Sequence, residues 1–270
     1  MNRRRLRTII RKEWLVLSRD ANSIAVITIL PLLVLAEAIV VIWLVQRFAG
    51  DSMAQSAFFQ TSLEKLRMAV PAATDLGTAD QIRVFLLSQL NFFLLLIPTM
   101  VAVSFATFSI VDEKLSGSLE ALLATPVKTG ELLLGKALAG AIPAVLVAWV
   151  CSGITLLVVT LMGWGTLVEM VVTPAWLVSL LLLTPVVALL SFLLGVIGSS
   201  RARDAKSAQN LVLVIIFPVF GLIALQVTGV LWFGLVGTLA LAVGLAVADY
   251  LVLRAAVGLF RREAIVLKWR

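Results

Sequence analysis

The stretch Ala175-Trp-Leu-Val-Ser-Leu-Leu-Leu-Leu-Thr-Pro-Val-Val-Ala-Leu-Leu-Ser-Phe-Leu-Leu-Gly-Val-Ile-Gly198 runs for 24 residues without a charge. A helix needs about 20 mainly apolar residues to cross the hydrocarbon core of a bilayer. In lipid, only helices and closed barrels satisfy every backbone polar group, and this run is too long and continuous for a barrel strand. It reads as a transmembrane helix. Five more segments read the same way: 23–46, 85–110, 137–162, 209–228 and 230–253. The last two are divided only by Gln226, Thr228 and Gly229, so residues 226–232 leave a re-entrant segment open, although about 45 residues leave little room beyond two full crossings. The predicted fold is all-α: a polytopic membrane protein with one transmembrane domain of six helices over residues 1–270.

Composition agrees with that reading. Of 270 residues, 61% are hydrophobic and 14% charged, against about 45–50% and about 25% in ordinary soluble domains. This excludes a soluble enzyme, a secreted module and a disordered tail. Histidine is absent and Cys151 is the single cysteine. The commonest general base, the commonest metal ligand and any intrachain disulfide are therefore excluded. No midplane aspartate pair compensates, so an intramembrane enzyme lacks its ordinary parts. The net charge of +7 follows position: with the N-terminus in the cytoplasm, 18 of the 22 Lys and Arg fall on the inner side. Only Arg47, Lys65, Arg67 and Arg83 fall outside, which places both termini in the cytoplasm.

Residues 1–22 do not read as a signal peptide, because the apolar run that follows is too long and no small-residue cleavage site follows it. Leu6, Ile9, Ile10, Trp14 and Leu17 recur at spacings of three and four, with the basic residues mostly on the other side. This predicts an amphipathic helix on the inner membrane surface, with Trp14 at headgroup level. A basic arm for nucleic acid would leave the apolar stripe unexplained. The outer loop 47–84 is polar and of mixed charge, with a short helix expected near 62–70 and breaks at Pro71, Gly77 and Thr78. It is long enough to be a cap or a docking surface for an extracytoplasmic partner. The second outer connection, 163–174, is short and flanked by Trp164 and Trp176.

The inner loop 111–136 is the most informative. Ser118 is a candidate N-cap for a short helix over 119–124, Thr125-Pro126 ends that helix, and Thr129 can cap the next one into the third span. The result is a short helix held across the cytoplasmic end of the bundle, a feature suited to a cytosolic partner. Gly130-Glu-Leu-Leu-Leu-Gly-Lys-Ala137 nearly matches a phosphate-binding loop. However, Ala137 lacks the magnesium-ligating hydroxyl, and the run opens a membrane helix instead of following a strand. ATP hydrolysis by this chain is therefore not expected.

Glu113-Lys-x-x-Gly-Ser-Leu-Glu120, Leu122-Leu-Ala-Thr-Pro-Val127 and Leu134-Gly-Lys136 together resemble the signature loop of ABC-2 type permeases, the membrane subunits of ABC exporters. Leu259-Phe-Arg-Arg-Glu263 is similar to the family's tail, and residues 198–209 to its second inner loop. Ser118 stands where threonine is common, and the family's outer re-entrant hairpin before the last span is not evident. The resemblance implies a non-catalytic permease subunit in the inner or plasma membrane. It implies a pairing with a second copy, a homodimer in preference to a heterodimer, and coupling to separate cytosolic ABC ATPases that carry ATP and magnesium. It assigns ATPase coupling to Glu113, Gly117, Leu119, Glu120, Leu122, Thr125 and Pro126, and to Arg201 and Arg203 in the loop 199–208. The tail 254–270 would be cytosolic.

Two acids lie inside apolar spans. Glu37, in the first, is costly in lipid. It should face the bundle interior or water, or be protonated: either it contacts a substrate or ion on the transport path, or it is a protonated acid bonded to a neighbouring helix through Asn91 or Ser104. Asp249, in the last, is close enough in sequence to Arg254 for an interfacial pair. An alternative to the permease is a stand-alone secondary transporter or channel with Glu37 as its midplane site. Gly140, Ala144, Ala148 and Ser152 recur every four residues as a smooth face, for either internal packing or a dimer seam.

Overall fold

The computed structural model describes residues 3–19, 21–48, 56–117, 128–201, 205–228 and 233–259. Every regular element among them is helical. In chain order these are α1 (Arg3–Leu17), α2 (Ala21–Phe48), α3 (Ala57–Ala69), α4 (Thr78–Phe93), α5 (Leu96–Leu115), α6 (Thr129–Val159), α7 (Gly165–Val171), α8 (Pro174–Val178), α9 (Thr184–Arg201), α10 (Ala205–Val227) and α11 (Leu235–Leu259). A 3-10 turn, Pro71–Asp75, joins α3 to α4, and π turns occupy Thr160–Trp164 and Ser179–Leu183. Among the described residues, five stretches are long and apolar enough to cross a membrane: Ile27–Val45, Thr78–Val111, Thr129–Val171, Pro174–Ser200 and Leu235–Leu259. α10 contributes a shorter apolar segment, Val214–Gln226.

The prolines are accommodated in different ways. Pro98 lies in the first turn of α5, just after a break at Leu94–Leu95. It has no N–H to give the Leu94 carbonyl, and the Ile97 N–H donates there instead at 3.1 Å. Pro185 follows the second π turn, in which the Thr184 N–H bonds back to Ser179. That shift frees the Leu180 carbonyl, which accepts from the Trp149 indole N–H at 2.9 Å. Pro143 lies inside α6 and leaves the carbonyl of Ala139 without its i+4 donor. The Trp14 indole N–H of α1 donates to that oxygen at 2.9 Å. Trp14 is thus a docking residue against α6.

The central packing is α5 against α9 and α6. A Cβ at Gly195 would lie 2.8 Å from the Ala106 Cβ and 3.2 Å from the Val103 carbonyl oxygen, so α5 and α9 cross at glycine distance. A Cβ at Gly140 would lie 2.5 Å from the Phe192 ring, which also packs on Phe105 with 6.2 Å between centroids. Gly140, Ala144, Ala148 and Ser152 are all buried, so the small-residue face of α6 packs internally. Cys151 is buried as a free thiol in the same region.

At the opposite end of the bundle from α1, α3 and the 3-10 turn are pinned by one side chain. Gln81 accepts from Arg67 Nη2 at 2.8 Å and Nε at 3.1 Å, and its amide donates to the Leu76 carbonyl at 2.9 Å. Arg83 bonds to Asp80 at 2.6 Å and lies 5.1 Å over the Trp164 ring. Residues 163–174 are largely helical, because α7 continues past the kink at Gly163 (φ +88°) and packs on α4.

Candidate functional site

The helical stripe of α1 carries an acid. Glu13 is four residues from Ile9 and from Leu17, so it shares their face, and docking that face onto α6 buries it. Two other elements supply its surroundings. α5 presents Ser109 and, one turn later, Glu113. The beginning of α6 presents Lys136, which is only 1% exposed. The Lys136 ammonium donates to Glu13 at 2.9 Å and to the Ser109 hydroxyl at 2.7 Å, and pairs with Glu113 at 2.8 Å. The Ser109 hydroxyl donates to the second Glu13 oxygen at 2.9 Å. Lys12 closes the cluster by pairing with Glu113 and, at 3.0 Å, with Glu13. Two ammonium groups thus meet two carboxylates at the junction of α1, α5 and α6.

The electrostatics follow from that geometry. Burial by itself raises the Glu13 pKa, but the Lys136 and Lys12 charges beside it outweigh burial and hold it below the usual carboxylate range. Burial by itself lowers the Lys12 pKa. The hydrogen bond to Glu113 and the charges of both carboxylates outweigh that and leave it raised. Both shifts favour the charged forms of Glu13 and Lys12. Close packing fixes the approach: a Cβ at Gly135 would lie 2.8 Å from the Ile9 Cγ2, so only glycine admits α1 this near to α6.

The cluster ties the two ends of the loop 111–136. Glu113 stands near its start and Lys136 at its end, and the two are joined to each other and to α1. Gly117, with φ +68°, ends α5 in the left-handed conformation that glycine adopts at low cost. Leu119, Glu120, Leu122, Thr125 and Pro126 lie outside the described residues, as does Arg203. Arg201 is the last residue of α9.

Neither intramembrane acid makes the bond that the sequence reading offers it. Glu37 is exposed, turned away from the inward face of α2 formed by Val34, Leu35, Ala38 and Ile42. It therefore does not reach the buried Asn91 or Ser104. Asp249 forms no pair with Arg254, and its Oδ1 has no hydrogen-bond partner among the described residues. Five residues of helix turn the two side chains about 140° apart. Arg254 lies instead 5.3 Å over Tyr250, its i−4 neighbour.

Of the clustered residues, sequence reasoning singles out Glu113 as functional. It counts Lys12 and Lys136 only as inner-side charge or motif, and misses Glu13 and Ser109. The available signal is an acid within an otherwise apolar stripe, together with a lysine inside the apolar opening of α6.

The sequence profile of the ABC-2 family transporter proteins matches residues 7–234. No curated protein matches the chain.

Proposed function

The chain belongs to the ABC-2 family of transporter proteins, and from that membership we propose that it is the permease subunit of an ATP-driven exporter, coupled to separate cytosolic ATPases through the loop 111–136. In this reading α10 completes six spans, both termini are cytoplasmic, and α3 caps the extracytoplasmic side of the inner or plasma membrane. The subunit is non-catalytic, and ATP and magnesium reside in the partner. The run 130–137 opens a continuous helix, and its Lys136 is committed to Glu13 and Glu113.

The observation that carries the coupling role is the ionic tie across the loop. A short helix pressed by an ATPase moves its two anchors. Here those anchors, Glu113 on α5 and Lys136 on α6, are joined by charge-assisted bonds and share Glu13 and Lys12 with α1. A push on the loop then displaces three elements as one unit. The loop residues Leu119, Glu120, Leu122, Thr125 and Pro126 would form the contact, with Arg201 and Arg203 beside them.

A second copy gives Glu37 a role. A carboxylate facing lipid near the middle of a helix costs about 2–3 kcal/mol or more. Glu37 lies on an exposed face of α2 between Leu33, Val40, Val41 and Leu44. A homodimer that closes over this face would place Glu37 on the shared path. The stand-alone transporter needs Glu37 enclosed within one chain, which its exposed position does not favour.

The test is Glu120→Lys in the assembled transporter. ATP hydrolysis should persist while transport is lost, with the bundle folded. Normal transport in that variant would contradict the coupling role.

A further inference from the structure

A cavity of about 460 Å³ lies at the end of the bundle that carries α3, remote from the ionic cluster. Its wall combines Ser88, Asn91 and Phe92 of α4 with Trp176 of α8, Gln226 of α10 and Thr238 of α11. Its size falls within the range of small-molecule sites, and its make-up is typical of them: an apolar and aromatic lining with a few convergent polar groups.

Three features define what would fit. First, among the described residues no ionisable side chain lines the cavity, so none of them compensates the desolvation of a charged ligand. Second, Gln226 is only 3% exposed, and its Oε1 has no hydrogen-bond partner among the described residues. A buried acceptor without a donor is costly, and a ligand hydroxyl or amide N–H would satisfy it. Third, the neighbouring hydroxyls already donate to backbone, Ser88 to the Val84 carbonyl at 2.8 Å and Thr238 to the Gly234 carbonyl at 3.0 Å. What hydrogen-bonding capacity these hydroxyls retain is therefore that of acceptors. Phe92 and Phe233 stack with 5.4 Å between centroids and, with Trp176, supply an aromatic wall.

We infer that this cavity is a binding site for an uncharged amphiphile that presents a hydroxyl or amide N–H donor to Gln226 and lays its apolar part against Phe92, Trp176 and Phe233. The site lies within one chain and does not depend on an ATPase or a second copy. Its occupancy can be measured on the purified subunit, whatever becomes of the coupling role.

The probe is a diazirine-bearing monoacylglycerol added to the full-length protein in lipid nanodiscs, with photolabelled peptides located by mass spectrometry. A water-soluble short-chain glycerol ether carrying the same group distinguishes capture from solution from capture out of the membrane. Controls are the corresponding methyl ester, which lacks a donor, and the free fatty acid, which is charged. The predicted result is labelling concentrated in residues 170–176 and 233–238 and displaced by excess unlabelled monoacylglycerol. The methyl ester and the acid should label these residues at least about fivefold less, the factor expected for one lost hydrogen bond. Gln226→Leu should bring the monoacylglycerol down by a similar factor. Gly234→Phe fills the cavity from a position where an added Cβ meets no heavy atom within 4 Å, and should abolish the label while the melting temperature stays near that of the parent. Equal labelling by the donor-free ester would overturn the inference. So would labelling unchanged in Gly234→Phe, or labelling spread evenly over lipid-facing positions such as Val150 and Leu161.

Discussion

Replacing Lys136 by methionine tests the ionic cluster most sharply. Lys136 is almost wholly enclosed and bonds Glu13 at 2.9 Å and Glu113 at 2.8 Å. Lys136→Met keeps much of the apolar stem but leaves two carboxylates to share Lys12. Removing one partner of a buried pair typically costs about 3–5 kcal/mol. The chain has a cheaper escape than global unfolding, because α1 can leave α6 and hydrate Glu13. The loss should therefore appear as undocking, a fall of about 100-fold or more in the docked-to-undocked ratio. Proximity of α1 to α6 can be read from disulfide formation between Ile9→Cys and Gly135→Cys in a Cys151→Ala background. The Ile9 Cβ is 3.1 Å from the position of a Cβ at residue 135, and small relaxation brings that to disulfide spacing. Glu13→Met alone should undock α1 similarly, since it leaves two ammonium groups to one carboxylate. The double variant retains the Lys12–Glu113 pair with charge balanced, so it should recover much of the loss. Single effects that add within about 0.5 kcal/mol in the double variant would refute the coupled cluster. So would a Lys136→Met protein that crosslinks like the parent.

Three further outcomes follow from the same docking geometry. Trp14→Phe leaves the Ala139 carbonyl, already deprived of a donor by Pro143, without its indole partner. It should weaken docking by about 1–3 kcal/mol, read as slower crosslinking between engineered cysteines on α1 and α6. Gly135→Ala should lower the melting temperature at a cost of about 1–3 kcal/mol by pressing on Ile9, and Ile9→Ala should restore it; a failure to rescue would locate the strain elsewhere. For pH, Glu13 is shifted down, so its contribution is complete above about pH 4.3 and is lost as pH falls through its folded-state value. Lys12 is shifted up, so its contribution is complete below about pH 10.4 and is lost as pH rises through its folded-state value. The melting temperature should therefore be flat with respect to these groups from about pH 6 to 9 and fall in acid; a steep change near neutrality would contradict the assignment.

Much of this architecture is legible in the sequence because lipid imposes so strict a rule. A run such as 175–198 has few options other than a spanning helix, and the structure has a helical stretch there. The α1 stripe is legible from helical periodicity, as residues recurring at spacings of three and four. What escapes is the identity of neighbours. Glu13 looks like one more polar residue on a basic helix until α6 brings Lys136 to it. Pro143 announces a lost hydrogen bond but not that Trp14, more than a hundred residues earlier, replaces it. Glu37 is recognisable as costly, yet periodicity within α2 does not say which neighbour covers which face. The π turn at Ser179–Leu183 has no short-range pattern of its own. It becomes understandable only beside Pro185 and the Trp149 indole that takes the freed carbonyl.

The central claim is that this chain works by attachment to a separate ATPase through the inner loop. The most direct test isolates the detergent-solubilised protein from its native host and identifies by mass spectrometry what accompanies it, with Glu120→Lys and Leu122→Ala variants in parallel. The account predicts a co-purifying P-loop ATPase that is lost from the variants, while α1 still crosslinks to α6 in each. A protein that purifies alone, and that supports flux in reconstituted vesicles without ATP, would contradict it.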